Sequence, residues 1–163
     1  MKEYLLDNKL GDINPLIENV SDEVKQYIPN NEIDLFSAAL YEVIMNAIEH
    51  GNLNILYETK KEWLKKNIYH KKLKELLETE KAKNTNVKIK LKLPEKEEDK
   101  IIITVKDQGL GFKPKQEAKK INNDGFARES GRGIIMIKSY FDEVKFNKKG
   151  NTITLIKSIK KEQ

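Results

Sequence analysis

The chain has 163 residues and no cysteine, and no apolar run approaches the roughly 18 residues of a membrane span, which excludes disulfide frameworks, zinc ribbons, thiol nucleophiles and transmembrane helices. Lys+Arg 31 against Asp+Glu 26 leaves a net charge of +5, but the two arginines (Arg128 and Arg132) and the scattered lysines form no aromatic-lined basic stripe, so a solvated surface is expected and no nucleic-acid or membrane partner. The start, Met1 to Asp7, is too short and acidic for a signal peptide, and a cytoplasmic location is expected.

Glu3 to Leu6 reads as a short edge strand. Asn14 then reads as the cap of a helix whose first position is Pro15, with Leu16, Ile17, Val20, Val24, Tyr27 and Ile28 along one face. Pro29 closes it, and Asn30-Asn31 leads into a second helix over about 32–50, which carries the widest apolar stripe: Ile33, Phe36, Leu40, Val43, Ile44, Ala47 and Ile48. Glu42, Asn46 and the pair Glu49/His50 share a polar face beside that stripe, and Gly51 suits its end. From about Tyr57 to Lys83 a Lys/Glu-rich stretch with Trp63, Leu64, Ile68, Leu73, Leu76 and Leu77 predicts an amphipathic helix or a broken pair.

Val87 to Leu93 alternates strictly and predicts a half-buried strand with lysines in water. A charged turn from Pro94 leads to the more buried strand Ile101–Val105 and then to a glycine loop, Asp107 to Gly111. Lys113 to Ser130 has no apolar periodicity and reads as a mobile polar lid. Gly133 to Phe141 reads as a helix, and Glu143 to Ile156 as a hairpin turning at Asn147–Gly150. Early helices and late strands predict a single α/β domain over 1–163 with a helical insertion at about 54–86. Its fold is a two-layer sandwich, a mixed, mostly antiparallel sheet covered on one face by helices.

Three constellations carry chemistry. Glu42-x-x-x-Asn46 sets a carboxylate and an amide oxygen one turn apart, a pair suited to a magnesium–phosphate centre and to proton acceptance, though also to a plain solvated face. Asp107-Gln-Gly109-Leu-Gly111-Phe112 follows a buried strand; its carboxylate can accept from an exocyclic amino group, while a simple glycine turn is the alternative. Gly131-Arg132-Gly133 opens a helix whose first N–H groups can receive phosphate oxygens. No Walker A triplet occurs, and this glycine run does not follow a strand as a dinucleotide fingerprint would.

In this order and context the three resemble the GHKL, or Bergerat-fold, ATP-binding superfamily. Glu42-x-x-x-Asn46-Ala-x-x-His50-Gly51-Asn52 is similar to the N box of its anti-sigma factor serine kinases, Asp107-x-Gly109-x-Gly111-Phe112 to the G1 box, and Gly131-Arg132-Gly133 to the G2 box. Phe141-Asp142-Glu143-Val144 also resembles that branch. The resemblance implies ATP and Mg2+ as cofactors, Asn46 as the magnesium-holding residue and Glu42 as the base for an attacking hydroxyl. It implies Asp107 as the adenine reader, Gly109 and Gly111 as pocket-shaping residues, and Gly131 and Gly133 as phosphate-wrapping ones. Arg128 and Arg132 are candidate phosphate contacts, and Thr152 a candidate pocket threonine, although Asn151 stands directly after Gly150.

The function implied is a regulatory protein serine/threonine kinase that phosphorylates a small antagonist (anti-anti-sigma) protein and binds a sigma factor or similar target. An ATP-binding module that sequesters a partner without phosphotransfer is the alternative. The insertion reads as an extra helical layer on the core or as a docking or homodimer surface.

Overall fold

The computed structural model describes residues 1–95, 98–111 and 132–159. The expected lid, with Arg128, and the neighbouring Phe112 and Gly131 lie outside the described residues. Strand β1 (Lys2–Asp7) leads through a 3-10 turn (Leu10–Asp12) into helix α1 (Ile13–Val24). A second 3-10 turn (Asn30–Glu32) enters α2 (Ile33–Asn46), whose C-terminal end continues as a π turn (Ala47–Asn52). Helices α3 (Tyr57–Lys65), α4 (Tyr69–Leu77) and α5 (Glu80–Lys83) follow, then strands β2 (Asn86–Lys92) and β3 (Lys100–Lys106). Helix α6 (Arg132–Tyr140), β4 (Glu143–Phe146) and β5 (Thr152–Ser158) complete the order.

The strands form a five-stranded sheet in the order β1-β2-β3-β5-β4, and its pairings are all antiparallel. The alternation in β2 decides the layers. Val87, Ile89 and Leu91 face the helices and are buried, while Lys88, Lys90 and Lys92 point to the opposite, wetter face. There Glu3 of β1 ion-pairs with Lys88 at 3.0 Å and Lys90 at 3.5 Å. Register carries the inward set across the sheet, from Ile89 to Val105 and from Ile103 to Leu155. The α/β sandwich expected from the pattern is the fold observed.

Local starts and stops differ in detail from the sequence reading. Helix α1 begins at Ile13, so Asn14 lies inside the first turn and is not its cap. Pro15 is still placed where a missing N–H costs no intrahelical bond. Tyr27 and Ile28 fall beyond the helix end, yet Ile28 remains buried. The 57–83 stretch divides into three helices: Asn67 takes a positive φ of 59° between α3 and α4, and the Thr79 hydroxyl accepts from Ala82 N–H at the start of α5. Leu73 and Ala82 enter the core, with Trp63, Tyr69, Leu76 and Leu77 packed against it. No helix among the described residues is long and apolar enough to cross a membrane.

Helix α2 is the centre of the helical layer, packed against α1 on one side and α6 on the other. Phe36 of α2 is fully buried and meets Tyr140 and Phe141 edge-on, with ring centroids 6.1 and 6.2 Å apart. Phe36→Ala should therefore cost about 3–5 kcal/mol of stability, read by chemical denaturation as a lower midpoint with little change in slope.

Candidate functional site

The end of α2 sets the geometry. Its π turn is closed by Leu53 N–H donating to Ile48 O at 2.8 Å, an i to i+5 bond. The wider turn carries Gly51 against the loop that leaves β3. A Cβ at Gly51 would lie 2.3 Å from Asp107 Cγ, and one at Gly109 would lie 2.2 Å from the Gly51 carbonyl oxygen. A side chain at Gly109 would need the backbone to move and one at Gly51 would displace the buried Asp107 side chain, so helix end and loop interlock at van der Waals contact. Gly111 has φ +79° and presses on the Lys149 carbonyl of the β4–β5 turn.

Asp107 is the polar centre of this interlock, 9% exposed. Its Oδ1 accepts from Gly109 N–H at 2.8 Å, and its backbone is pinned by the residue just before β5: Asp107 N–H donates to Asn151 O at 3.0 Å and Asn151 Nδ2 donates to Asp107 O at 3.2 Å. Burial pushes the Asp107 carboxyl above the usual carboxylate range; the Gly109 N–H, its own N–H and the Lys149 charge oppose that rise. A buried carboxylate with one oxygen committed to the loop has its second oxygen for a directional donor, such as an exocyclic amino group.

The two remaining motifs meet across the α2–α6 contact. A Cβ at Gly133, next to the start of α6, would lie 2.5 Å from Glu42 Oε2. Glu42 and Asn46 are both half-buried, one turn apart on α2. Arg132 opens α6. Thr152 behaves differently from the other candidates: it pairs with Lys106 in the register, and its hydroxyl accepts from Asn147 Nδ2 at 3.3 Å, while its neighbour Asn151 makes the contact with Asp107. Among the described residues no three His, Asp or Glu side chains converge on one point. One amide and one carboxylate still fit magnesium, which keeps water and phosphate oxygens as most of its ligands.

Two residues that support the site, Glu49 and Asn8, carry no clear signal in the sequence, whereas Asn52 belongs to the N-box resemblance. Glu49, read as part of a polar helix face, is fully buried; Lys60 Nζ donates to its Oε2 at 2.5 Å and the Tyr69 hydroxyl to its Oε1. Asn52, also fully buried, accepts from Gln108 N–H at 2.8 Å and donates to Asn8 Oδ1 at 2.8 Å. Asn8 in turn donates to the carbonyls of Ala82 and Thr85. A separate cleft of 780 Å³ lies between the β1–α1 connection and α4–α5, lined by residues such as Asn8, Leu10, His70 and Leu73, and includes none of the motif residues.

The fold and this interlock place the protein in a class. The histidine kinase-like ATPase domain family matches residues 75–157, half of the chain, and the chain belongs to that family. The match includes Asp107, Gly109, Gly111 and Gly133 but stops short of Glu42 and Asn46. Its similar relatives include the serine-protein kinases RsbW of Staphylococcus aureus strains JH9, Newman and USA300, each 40% identical over 87 residues, 49% of this chain and 55% of the relative. The chain spans about half the length of the curated relatives it matches.

His50 offers a pH test of the π turn. Its ring stacks on Tyr57 with centroids 3.8 Å apart, and its Nδ1 lies 2.5 Å from the Ile55 carbonyl, which it reaches as a donor. Burial holds the imidazole below its ordinary 6.5 and Lys60 adds to this, against the opposing pull of the Ile55 carbonyl and Glu49. As pH falls the unfolded chain therefore takes up this proton first. The stability from neutral His50 is complete well above pH 6.5 and is lost as the pH falls below it. Melting curves from about pH 8 to about pH 5.5 should show a smaller loss for His50→Gln than for the wild type.

Proposed function

We propose that the protein is an ATP- and magnesium-dependent protein serine/threonine kinase of the anti-sigma regulatory type. It would act in the cytoplasm on a small antagonist protein and hold a sigma factor or similar target in its other state, as a single domain that also forms a homodimer. The observation that carries the reading is the seating of the Glu42 carboxylate against Gly133, where α6 presents its first N–H groups. A nucleotide whose adenine reached Asp107 would run its phosphates toward this junction. The match to the ATPase family and the relatives' description as serine-protein kinases support it.

In this reading Asp107 accepts from the adenine amino group through the oxygen not taken by Gly109, and Gly109 and Gly111 keep the pocket floor free of side chains. Asn46 holds magnesium against the phosphates, and bound magnesium supplies neutralisation of charge on the transferring group. Gly131 and Gly133, with Arg128 and Arg132, receive phosphate oxygens. Thr152 contributes at the rim of the β4–β5 turn, and Asn151 fixes Asp107 from beneath. The γ-phosphoryl group passes from ATP to a serine or threonine hydroxyl of the antagonist. ADP leaves, and Glu42 takes the hydroxyl proton.

Three substitutions test these roles. Asp107→Asn should weaken ATP binding by about 1.5–3 kcal/mol in calorimetry with the fold intact, because the amide loses the charge-assisted bond; unchanged affinity removes Asp107 from the site. Glu42→Gln should bind ATP at near wild-type affinity while phosphorylation of the antagonist falls about 10²–10⁴-fold, whereas Asn46→Ala should lose the magnesium-dependent part of ATP affinity. A wild type that binds ATP and a partner tightly yet transfers no phosphate makes the protein a sequestering module.

A further inference from the structure

The inserted helices stack Tyr57 on His50 of the π turn and reach the nucleotide-site scaffold through two sets of polar contacts. The first is Glu49, which sits within the π turn two residues before Gly51. Its carboxylate is fully buried and is neutralised by groups that the insertion supplies, Lys60 of α3 at 2.5 Å and the hydroxyl of Tyr69 at the start of α4. Lys60 also lies over the Tyr69 ring, 5.4 Å from its centroid. A carboxylate taken out of water needs such partners, and removing one leaves it under-satisfied in place. The Glu49 backbone joins the same arrangement, its carbonyl accepting from Ile55 N–H at 2.8 Å.

The second contact runs through Asn8. Its side-chain amide donates to Ala82 O at 2.7 Å and Thr85 O at 3.0 Å, at the end of the insertion, and its oxygen accepts from Asn52. Asn52 then accepts from Gln108 N–H, between Asp107 and Gly109. Gln108 closes the circuit, its side-chain oxygen accepting from Asn86 N–H at 2.6 Å. The insertion thus grips Glu49 before Gly51 directly, and its far end reaches Asn52 after Gly51 through Asn8.

We propose that the 54–86 insertion is a positioning clamp for the nucleotide site: Lys60 and Tyr69 through Glu49, and Asn8 through Asn52, fix the π turn whose Gly51 forms the wall behind Asp107 and Gly109. Lys60, Tyr69 and Asn8 are positioning residues; none of them is placed in contact with nucleotide. This rests on the ATP reading above, so the test has one arm that needs nucleotide and one that does not. Tyr69→Phe removes one hydroxyl and little volume, Lys60→Met removes the charge, Lys60→Arg keeps it, and Asn8→Ala cuts the second grip.

In the arm without nucleotide, amide hydrogen exchange is followed at residues 107–111 and 47–52. Tyr69→Phe, Lys60→Met and Asn8→Ala should each speed exchange at 107–111, a loop the mutated side chains of α3 and α4 do not touch, and Lys60→Arg should restore wild-type protection. In the nucleotide arm, the same three variants should raise the dissociation constant for Mg·ATP about tenfold, the scale of one buried hydrogen bond, with turnover at saturating ATP retained. Faster exchange confined to α3 and α4, with protection at 107–111 unchanged, overturns the proposal. If the wild type binds no ATP, the nucleotide reading fails, and the exchange arm alone decides the clamp. Should Lys60→Met not fold, the isosteric Tyr69→Phe and the distant Asn8→Ala carry the same comparison.

Discussion

Backbone-to-backbone contact between the π turn after α2 and the loop after β3 is the constraint on which the rest of the site depends. A Cβ on Gly109 would lie 2.2 Å from the Gly51 carbonyl oxygen, and one on Gly51 would lie 2.3 Å from Cγ of the Asp107 side chain. Such an approach is stable only if the helix end is widened to bring its backbone forward, and the i to i+5 closure at Ile48–Leu53 does that. Once the two segments interlock, Asp107 is desolvated at a fixed point, and its carboxyl shifts toward the neutral form for that reason. The floor of the candidate pocket, its polar centre and its perturbed titration are consequences of one packing event.

Helix α2 links this floor to the other half of the site. Its apolar stripe is held between the sheet, α1 and α6, so its polar edge has a fixed rotation, and Glu42 points at the start of α6 beside Gly133. Phe36, wedged against Tyr140 and Phe141 near the other end of α6, sets the distance between the two helices. A histidine kinase-like ATPase domain thereby acquires two separated polar points, Asp107 in the loop and Glu42 at the helix pair, with the backbone of the glycine segments between them. Helices α3 and α4 add donors, Lys60 and Tyr69, to Glu49 of the π turn that packs behind the first of these points.

Much of this arrangement is legible in the chain. Strict alternation at Val87–Lys92 gave the strand and its face, and the Phe36–Ile48 stripe gave the central helix, because burial on one side leaves a period in the sequence. The order of the glycine motifs gave the loop, α6 and their relation to α2. Other features have no local signature. A helical wheel places Glu49 beside Asn46 in water, but the π turn rotates it and α3 and α4 cover it, so its fate depends on Lys60 and Tyr69. Asn8 meets Asn52 and Thr85 across 44 and 77 residues, contacts that only the assembled fold creates. Thr152 and Asn151 are separated by a strand's alternation, and the length of the β4–β5 turn decides which of them meets Asp107.

Where Mg·ATP docks is measured most directly by a backbone amide NMR titration of the wild-type protein. Docking at the interlock predicts saturable shifts concentrated at Ala47–Asn52, Asp107–Gly111 and the residues around Gly133, with little change along β1 or the outer lysines of β2. Shifts confined to the cleft between the β1–α1 connection and α4–α5, or no saturable shifts at all, would contradict it.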